Sequence, residues 1–282
     1  MKYFPCAKIN LGLNIVEKRP DGYHNLETVF FPIDIHDELD VRLSEKEGCN
    51  LELVGVKQLC SPEQNLVVKA YNLLSERYHL PGIDVTLTKN IPSQAGMGGG
   101  SSDGAYMIRA LNEVCALNMT VEEMQQVAAR LGADCAFFIT SETAYAEGIG
   151  DILSHADFEN KPLLEDCWLM LIKPDVAVST KEAYAGIMPR RPSVNCRDVV
   201  AAMPINEWKA NLTNDFENSI FPKLPILKTV KEAMYEAGAV YASMSGSGST
   251  IYGIFPNKID KHAALKNNKI SQYANQYYFK II

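Results

Sequence analysis

The sequence has no apolar run approaching the ~18 residues that a membrane-spanning helix needs. Near its start the one apolar stretch is interrupted by Lys8, which does not look like a signal peptide. It also lacks any excess of positive charge. Its 27 Lys and Arg face 34 Asp and Glu, a formal net charge of -7. Broad binding to nucleic acid rests on cations neutralising phosphates, so this balance argues against it. A nucleotide substrate needs only a local donor-rich site and stays open. Metal-ligand spacing is missing among the seven cysteines, Cys6, Cys49, Cys60, Cys115, Cys135, Cys167 and Cys196, and no disulfide ladder is visible. They read as reduced thiols, mostly small buried hydrophobes, of a cytoplasmic protein. Repeats, low-complexity tracts and charge blocks are missing too. With 47% hydrophobic and 22% charged residues, nothing points to disorder.

What is present is enough chain, 282 residues, for two domains sharing a cleft. Lys8–Ile15 alternates with period two, so Ile9, Leu11, Leu13 and Ile15 are expected on a core face and Lys8, Asn10 and Asn14 on the other. Strands are further expected near Thr28–Ile35, Leu39–Leu43, Ile83–Thr88, Ala136–Ile139, Thr143–Ala146 and Asp151–Leu153. Helices are expected over Asn65–Arg77, about Ser102–Cys115, and from Thr120, where Thr120-Val121-Glu122-Glu123 forms a capping box, to Leu131-Gly132. The chain turns polar at Asp157–Pro162, which places a domain boundary there, between 1–158 and 159–282. After it come the apolar run Cys167–Ile172, several helices including Ile226–Ala237, and the strand Thr250–Phe255. Mixed strands and helices in each half make the fold class α+β.

Ile91-Pro92-Ser93-Gln94-Ala95-Gly96-Met97-Gly98-Gly99-Gly100-Ser101-Ser102-Asp103-Gly104 carries the sharpest chemical signal. A strand enters it and a helix leaves it. Its glycines allow close backbone approach to a ligand, and successive N–H groups with a helix N-terminus suit a polyphosphate. Ser101 and Ser102 add hydroxyls for a phosphate oxygen or Mg2+. By itself the stretch also reads as a surface loop with Ser102 or Asp103 capping the helix. It is not a Walker A loop, because no Gly-Lys-Ser/Thr follows. A second loop, Ser243–Thr250, lies between two apolar strands. It reads either as a plain hairpin turn or as the counterpart of the first loop, facing it across a cleft.

Phosphoryl transfer needs positioning, charge stabilisation and a base for the attacking hydroxyl. Asp134, flanked by small and aromatic residues at a helix-to-strand turn, is the best base in the sequence, though a turn aspartate would look similar. Lys8 has mostly apolar neighbours and needs a carboxylate or ligand unless it snorkels from an edge strand. A Lys8–Asp134 pair would keep the base ionised. Tyr23-His24, after a Pro-Asp-Gly turn, suits stacking on a nucleobase or is simply structural.

Taken together, these stretches resemble the GHMP kinases, the superfamily of galactokinase, homoserine kinase and mevalonate kinase. Pro92-x-x-x-Gly96-Met97-Gly98-Gly99-Gly100-Ser101-Ser102-Asp103 is similar to their phosphate loop. Ala7–Leu13, Arg19–His24 and Gly132-Ala133-Asp134-x-x-Phe137-Phe138 resemble the branch whose acceptor alcohol carries cytidine diphosphate. The resemblance runs from Lys8 to Thr250. It implies an N-terminal domain like ribosomal protein S5 domain 2 and a ferredoxin-like C-terminal domain. It implies ATP, and with it Mg2+, phosphorylating a 2-hydroxyl on the non-mevalonate route to isoprenoid precursors, with no nucleic-acid or membrane partner. Carried over by position, Asp134 is the base and Lys8 its cationic partner. Asn65 lies near the adenine, and Pro92, Gly96, Gly98, Gly99, Gly100, Ser101 and Ser102 belong to the loop around the phosphates. Asn10 positions the acceptor, Tyr23 and His24 hold cytosine with Tyr184 as second ring, and Gly246, Ser247 and Gly248 through Ser249 close the substrate side. The metal ligands are unknown. Met97 for Leu, Gly104 for Ala and Cys135-Ala136 for Val-Pro depart from the pattern, and the last is expected to loosen the turn at Asp134. Other GHMP kinases, of homoserine or mevalonate type, have no base to stack on Tyr23-His24. A non-enzymatic binding module would be expected to lack Lys8 or Asp134.

Overall fold

The computed structural model describes residues 1–55, 61–158, 163–256, 270 and 277–281. Cys60 and residues 159–162 of the expected domain junction lie outside them. In chain order come β1 (Lys2–Tyr3), β2 (Cys6–Lys18), β3 (His24–His36), β4 (Glu38–Leu43), β5 (Cys49–Val54), α1 (Leu66–Ser75), β6 (Ile83–Thr88), α2 (Gly99–Val114), α3 (Val121–Leu131) and α4 (Phe137–Thr140). Then follow β7 (Ala144–Glu147), β8 (Ile152–Ser154), β9 (Trp168–Ile172), α5 (Thr180–Tyr184), α6 (Cys196–Ala202), α7 (Trp208–Asn211), α8 (Phe216–Ile220), α9 (Pro225–Glu236), β10 (Tyr241–Met244), β11 (Ile251–Phe255) and β12 (Tyr277–Ile281).

These elements fall into two compact units. One holds residues 1–8, 32–93 and 98–142; the other holds 9–31, 94–97 and 143–282. The division does not follow the linear boundary expected after residue 158, because the long strands β2 and β3 pass from one unit into the other.

The first unit is built on the sheet β1-β4-β6-β5. Val41, Val85 and Leu87 alternate inward along it and are buried. The capping box of α3 forms as expected: Thr120 Oγ1 accepts from the Glu123 N–H at 3.2 Å, and Glu123 Oε2 accepts from the Thr120 N–H at 2.9 Å. Gly104 lets α2 approach α1, since a Cβ there would stand 2.9 Å from Leu66 Cβ. Its departure from Ala therefore has a packing reason that offsets its poorer helix propensity.

The second unit carries the sheet β10-β11-β9-β12. Each neighbouring pair runs antiparallel. With helices between its first and second strands, this is the split-βαβ, ferredoxin-like arrangement. Leu227, Val230 and Ala233 of α9 bury their face in one core with Met170, Ala242 and Ile251.

One expected strand changes. Phe137–Ile139 is helical, not a strand. A short, fully buried apolar run has no polar partner to reveal its period, so strand and helix look alike in it. Both faces of β2 are buried: Lys8, Asn10 and Asn14 as well as Ile9, Leu11, Leu13 and Ile15.

Candidate active site

In the first unit Lys8 and Asp134 meet. Lys8 Nζ lies 3.4 Å from Asp134 Oδ2, with the lysine side chain 4% exposed and the aspartate 34%. The ammonium is enclosed while the carboxylate remains reachable. Asp134 sits in a 3₁₀ turn, Ala133–Cys135, closed by the Cys135 N–H to the Gly132 carbonyl at 3.1 Å. Cys135 and Ala136 are buried, and Ala136 already has helical geometry, so the turn runs directly into α4 without the proline. Burial pushes the Cys135 thiol up to about 12, with the Ser101 hydroxyl hydrogen-bonded to it.

Gly98 caps α2 with φ 72° and no side-chain hydrogen bond. A Cβ at Gly98 would stand 2.7 Å from the Phe138 ring and 3.4 Å from Lys8 Cε, so only glycine lets this backbone pass beside the lysine. The helix starts three residues earlier than expected, with Gly99 and Gly100 in its first turn. Uncapped first-turn N–H groups and the dipole end suit an anion. Ser102 is fully buried, and its Oγ has no hydrogen-bond partner. An orphaned hydroxyl at this place fits a phosphate oxygen or a hard cation carried by phosphates. Among the described residues no three His, Cys, Asp or Glu side chains converge on a metal position. Asn65 caps α1, its Oδ1 accepting from the Val67 N–H at 2.9 Å.

Asp103 does not oppose the anion. Its Oδ2 takes the Lys89 ammonium at 2.6 Å, and Lys89 also bonds Asp37. Asp37 Oδ1 in turn accepts from the N–H groups of Asn90 (2.5 Å) and Ile91 (2.8 Å). One largely enclosed lysine, its side chain 10% exposed, thus ties the strand entering the loop to the helix leaving it. Burial disfavours its charge, but the Asp103 and Asp37 carboxylates outweigh that and raise its pKa. Burial also pushes Asp103 well above the usual carboxylate range, against the pull of Lys89.

In the second unit the remaining expected residues gather in two places. His24 stacks on Tyr184 at 4.9 Å and 24°, and Tyr184 meets Phe216 edge-on at 4.9 Å. Burial, with Lys18 adding to it, lowers the His24 pKa and keeps the ring neutral near pH 7. Tyr23 is 62% exposed at the end of a turn held by Asp21, whose Oδ1 accepts from the Tyr23 N–H at 3.0 Å. The two glycine-rich loops do not face each other across a gap, as expected, but touch. Ser245 Oγ donates to the Gly96 carbonyl at 2.9 Å, the Thr250 N–H reaches the Ala95 carbonyl at 3.2 Å, and a Cβ on Gly96 would run into the Ser245 carbonyl. The second loop is a hairpin between β10 and β11, so the plain reading of its backbone was right. Asn214 secures it, its Nδ2 donating to the Met244 and Gly246 carbonyls at 2.7 and 2.9 Å.

Asp37, Lys89, Thr28 and Asn214 were not singled out in the sequence. The local signal for Lys89 was a charged residue at a strand end, which is also what an ordinary solvated terminus shows. Asn214-Asp215 follows Thr213 with no glycine or proline beside it, and such a polar triplet gives no period to read.

Two family models match the chain, "GHMP kinases N terminal domain" over residues 65–142 and "GHMP kinases C terminal" over 198–274, and the chain belongs to the GHMP kinases. The 4-diphosphocytidyl-2-C-methyl-D-erythritol kinase of Bacteroides thetaiotaomicron is 50% identical over 254 residues, covering 89% of this chain and 91% of that protein. The same-named kinase of Cytophaga hutchinsonii is 45% identical over 261 residues, 90% and 92% of the two chains. A crystal structure of 4-(cytidine 5'-diphospho)-2C-methyl-D-erythritol kinase superposes with a TM-score of 0.79 at 28% identity, covering 99% of this chain and 98% of that one. Within the GHMP kinases the chain falls in the 4-diphosphocytidyl-2-C-methyl-D-erythritol kinase family. No helix among the described residues is long and apolar enough to cross a membrane.

Proposed function

We propose that this chain transfers the γ-phosphoryl group of ATP to the 2-hydroxyl of 4-diphosphocytidyl-2-C-methyl-D-erythritol, releasing ADP and the 2-phosphate. The observation that carries it is the Lys8–Asp134 pair beside the uncapped glycine start of α2 in one compact unit. Asp134 takes the hydroxyl proton as the new O–P bond forms and the bond to the leaving ADP oxygen breaks. Lys8, shut from water, holds that carboxylate in place. Gly98, Gly99, Gly100 and Ser101 offer backbone and hydroxyl donors to the phosphates, with Pro92 and Gly96 shaping the loop before them. Ser102 Oγ would hold Mg2+, which when bound neutralises phosphate charge. Asn65 is assigned to the adenine.

On the acceptor side Asn10 positions the methylerythritol group, Tyr23, His24 and Tyr184 read cytosine, and Gly246, Ser247 and Gly248 close over the substrate. A neutral His24 has one donor and one acceptor to offer a base edge. Cytosine has to part or flank the His24–Tyr184 stack to use both rings. The family domains are read as 1–158 and 159–282, on either side of which the two matched segments lie. The cysteines described are unpaired, which supports a cytoplasmic setting. Neither nucleic acid nor membrane is proposed as a partner.

The test is ADP release with Mg-ATP and a panel of acceptors: the diphosphocytidyl alcohol, homoserine, mevalonate and galactose. Turnover with the cytidyl compound alone is expected. Turnover with a different acceptor only would keep the kinase and discard this substrate.

A further inference from the structure

We infer that Thr28 is a positioning residue for phosphoryl acceptance, acting through Asn10. The inference rests on the proposed placement of Asn10 at the acceptor. Thr28 is fully buried on β3, the neighbour of β2 in its sheet. Its hydroxyl lies 2.5 Å from the Gly12 carbonyl oxygen and 2.9 Å from Asn10 Nδ2. A carbonyl oxygen only accepts, so the single hydroxyl proton of Thr28 is committed to Gly12. Toward Asn10 the same oxygen can therefore only accept, which requires the NH2 end of the amide there. Turning the amide over would set its carbonyl oxygen against the Thr28 oxygen, two acceptors with no proton between them. Asn10 Oδ1 is thereby directed away from Thr28, to the side where Gly246 lies: a Cβ on Gly246 would come within 3.4 Å of it. Behind it the Tyr252 hydroxyl donates to the Asn10 backbone carbonyl at 2.7 Å, fixing the strand from which the amide projects.

An amide is nearly symmetric in shape, so packing alone does not decide which end points where. Here the Thr28 oxygen, its own proton given to Gly12, takes the NH2 end. The consequence is an acceptor atom of fixed position, able to receive a hydroxyl proton from a sugar alcohol and hold that alcohol in register. A glycine or alanine at position 28 would remove this acceptor from the NH2 end.

Thr28→Val keeps the shape and removes the hydroxyl. It is expected to lower kcat/KM for the diphosphocytidyl acceptor about tenfold, the scale of one lost hydrogen bond, with the KM for ATP unchanged. Thr28→Ser, which keeps both hydrogen bonds, is expected to restore it. The decisive measurement is a double-mutant cycle with Asn10→Ala. If Thr28 acts through Asn10, the double variant is no worse than Asn10→Ala alone. Losses that multiply, with Asn10→Ala itself impaired, would overturn the role of Thr28 and leave the placement of Asn10 standing. Unchanged acceptor kinetics in Asn10→Ala would overturn both. Thr28→Cys, similar in volume and a weak hydrogen-bond partner, serves the same cycle if the valine variant does not fold.

Discussion

At Asp134 a carboxylate with a third of its side-chain surface open sits against an ammonium that is nearly closed off. That asymmetry suits a base: the partner is fixed and the reacting oxygen is reachable. Asp134→Asn keeps the size of the side chain and removes its basicity. It is expected to unfold like the parent protein and to lose about 10²–10⁴-fold in turnover, the usual worth of a general base. An ADP-release rate within a few-fold of the parent would take Asp134 out of the mechanism. His24 gives a pH test. Burial lowers its pKa, so the ring is neutral above that value and gains a proton below it. Protonation turns its one acceptor into a second donor, so affinity for the cytidyl compound is expected to fall as pH drops below the ordinary histidine value. The sign for stability is the same. The unfolded chain binds the proton more readily, so folding is weakened on the acid side and recovers as pH rises through the ordinary value. Calorimetric titrations at pH 7.5 and 5.5, with His24→Asn as control, check this; an equal pH dependence in the control would assign it to another group. Both residues were legible in the sequence because each stands in a short stretch of unusual chemistry. Thr28 was not, because a threonine in a strand is what any strand contains.

Among the elements, the join between β6 and α2 carries the glycine-rich loop, and its rigidity has a defined source. Lys89 at the end of β6 bonds Asp103 in the second turn of α2 and Asp37 just before β4. Removing one member of a buried ionic group leaves the others without compensation. Lys89→Met is therefore expected to destabilise the protein by about 3–5 kcal/mol, seen as a lower denaturant midpoint at unchanged slope. A midpoint equal to that of the parent would show that the two carboxylates do not depend on the lysine. The elements themselves were mostly readable. Thr120 and Glu123 announced the start of α3, and alternation announced β2. The helix Phe137–Thr140 was not, since its three core residues are apolar on every side. The start of α2 was placed three residues late, because glycines read as loop when nothing local shows them entering a helix.

For the molecule as a whole, family membership and two compact units of mixed structure agree with the α+β class that the order of strands and helices suggested. The linear boundary was less informative than the path of β2 and β3, which supply residues to both units. The panel of acceptors tests function at this scale, since the glycine-rich loop resembles one shared by the superfamily and the residues proposed to read cytosine lie outside it. What the sequence by itself determined were the features written in neighbouring residues: the period of each strand and helix, the capping box, the glycine run and the Pro-Asp-Gly-Tyr-His turn. These act over a few residues, so chemistry and order along the chain suffice to specify them. Only the tertiary structure decided which polar groups meet. Asp37 finds Lys89 across 52 residues, and Asn10 finds Thr28 across 18. Such pairs form because apolar packing brings strands and helices together first and buried polar groups must then be satisfied by whatever lies opposite. No local pattern encodes that partner.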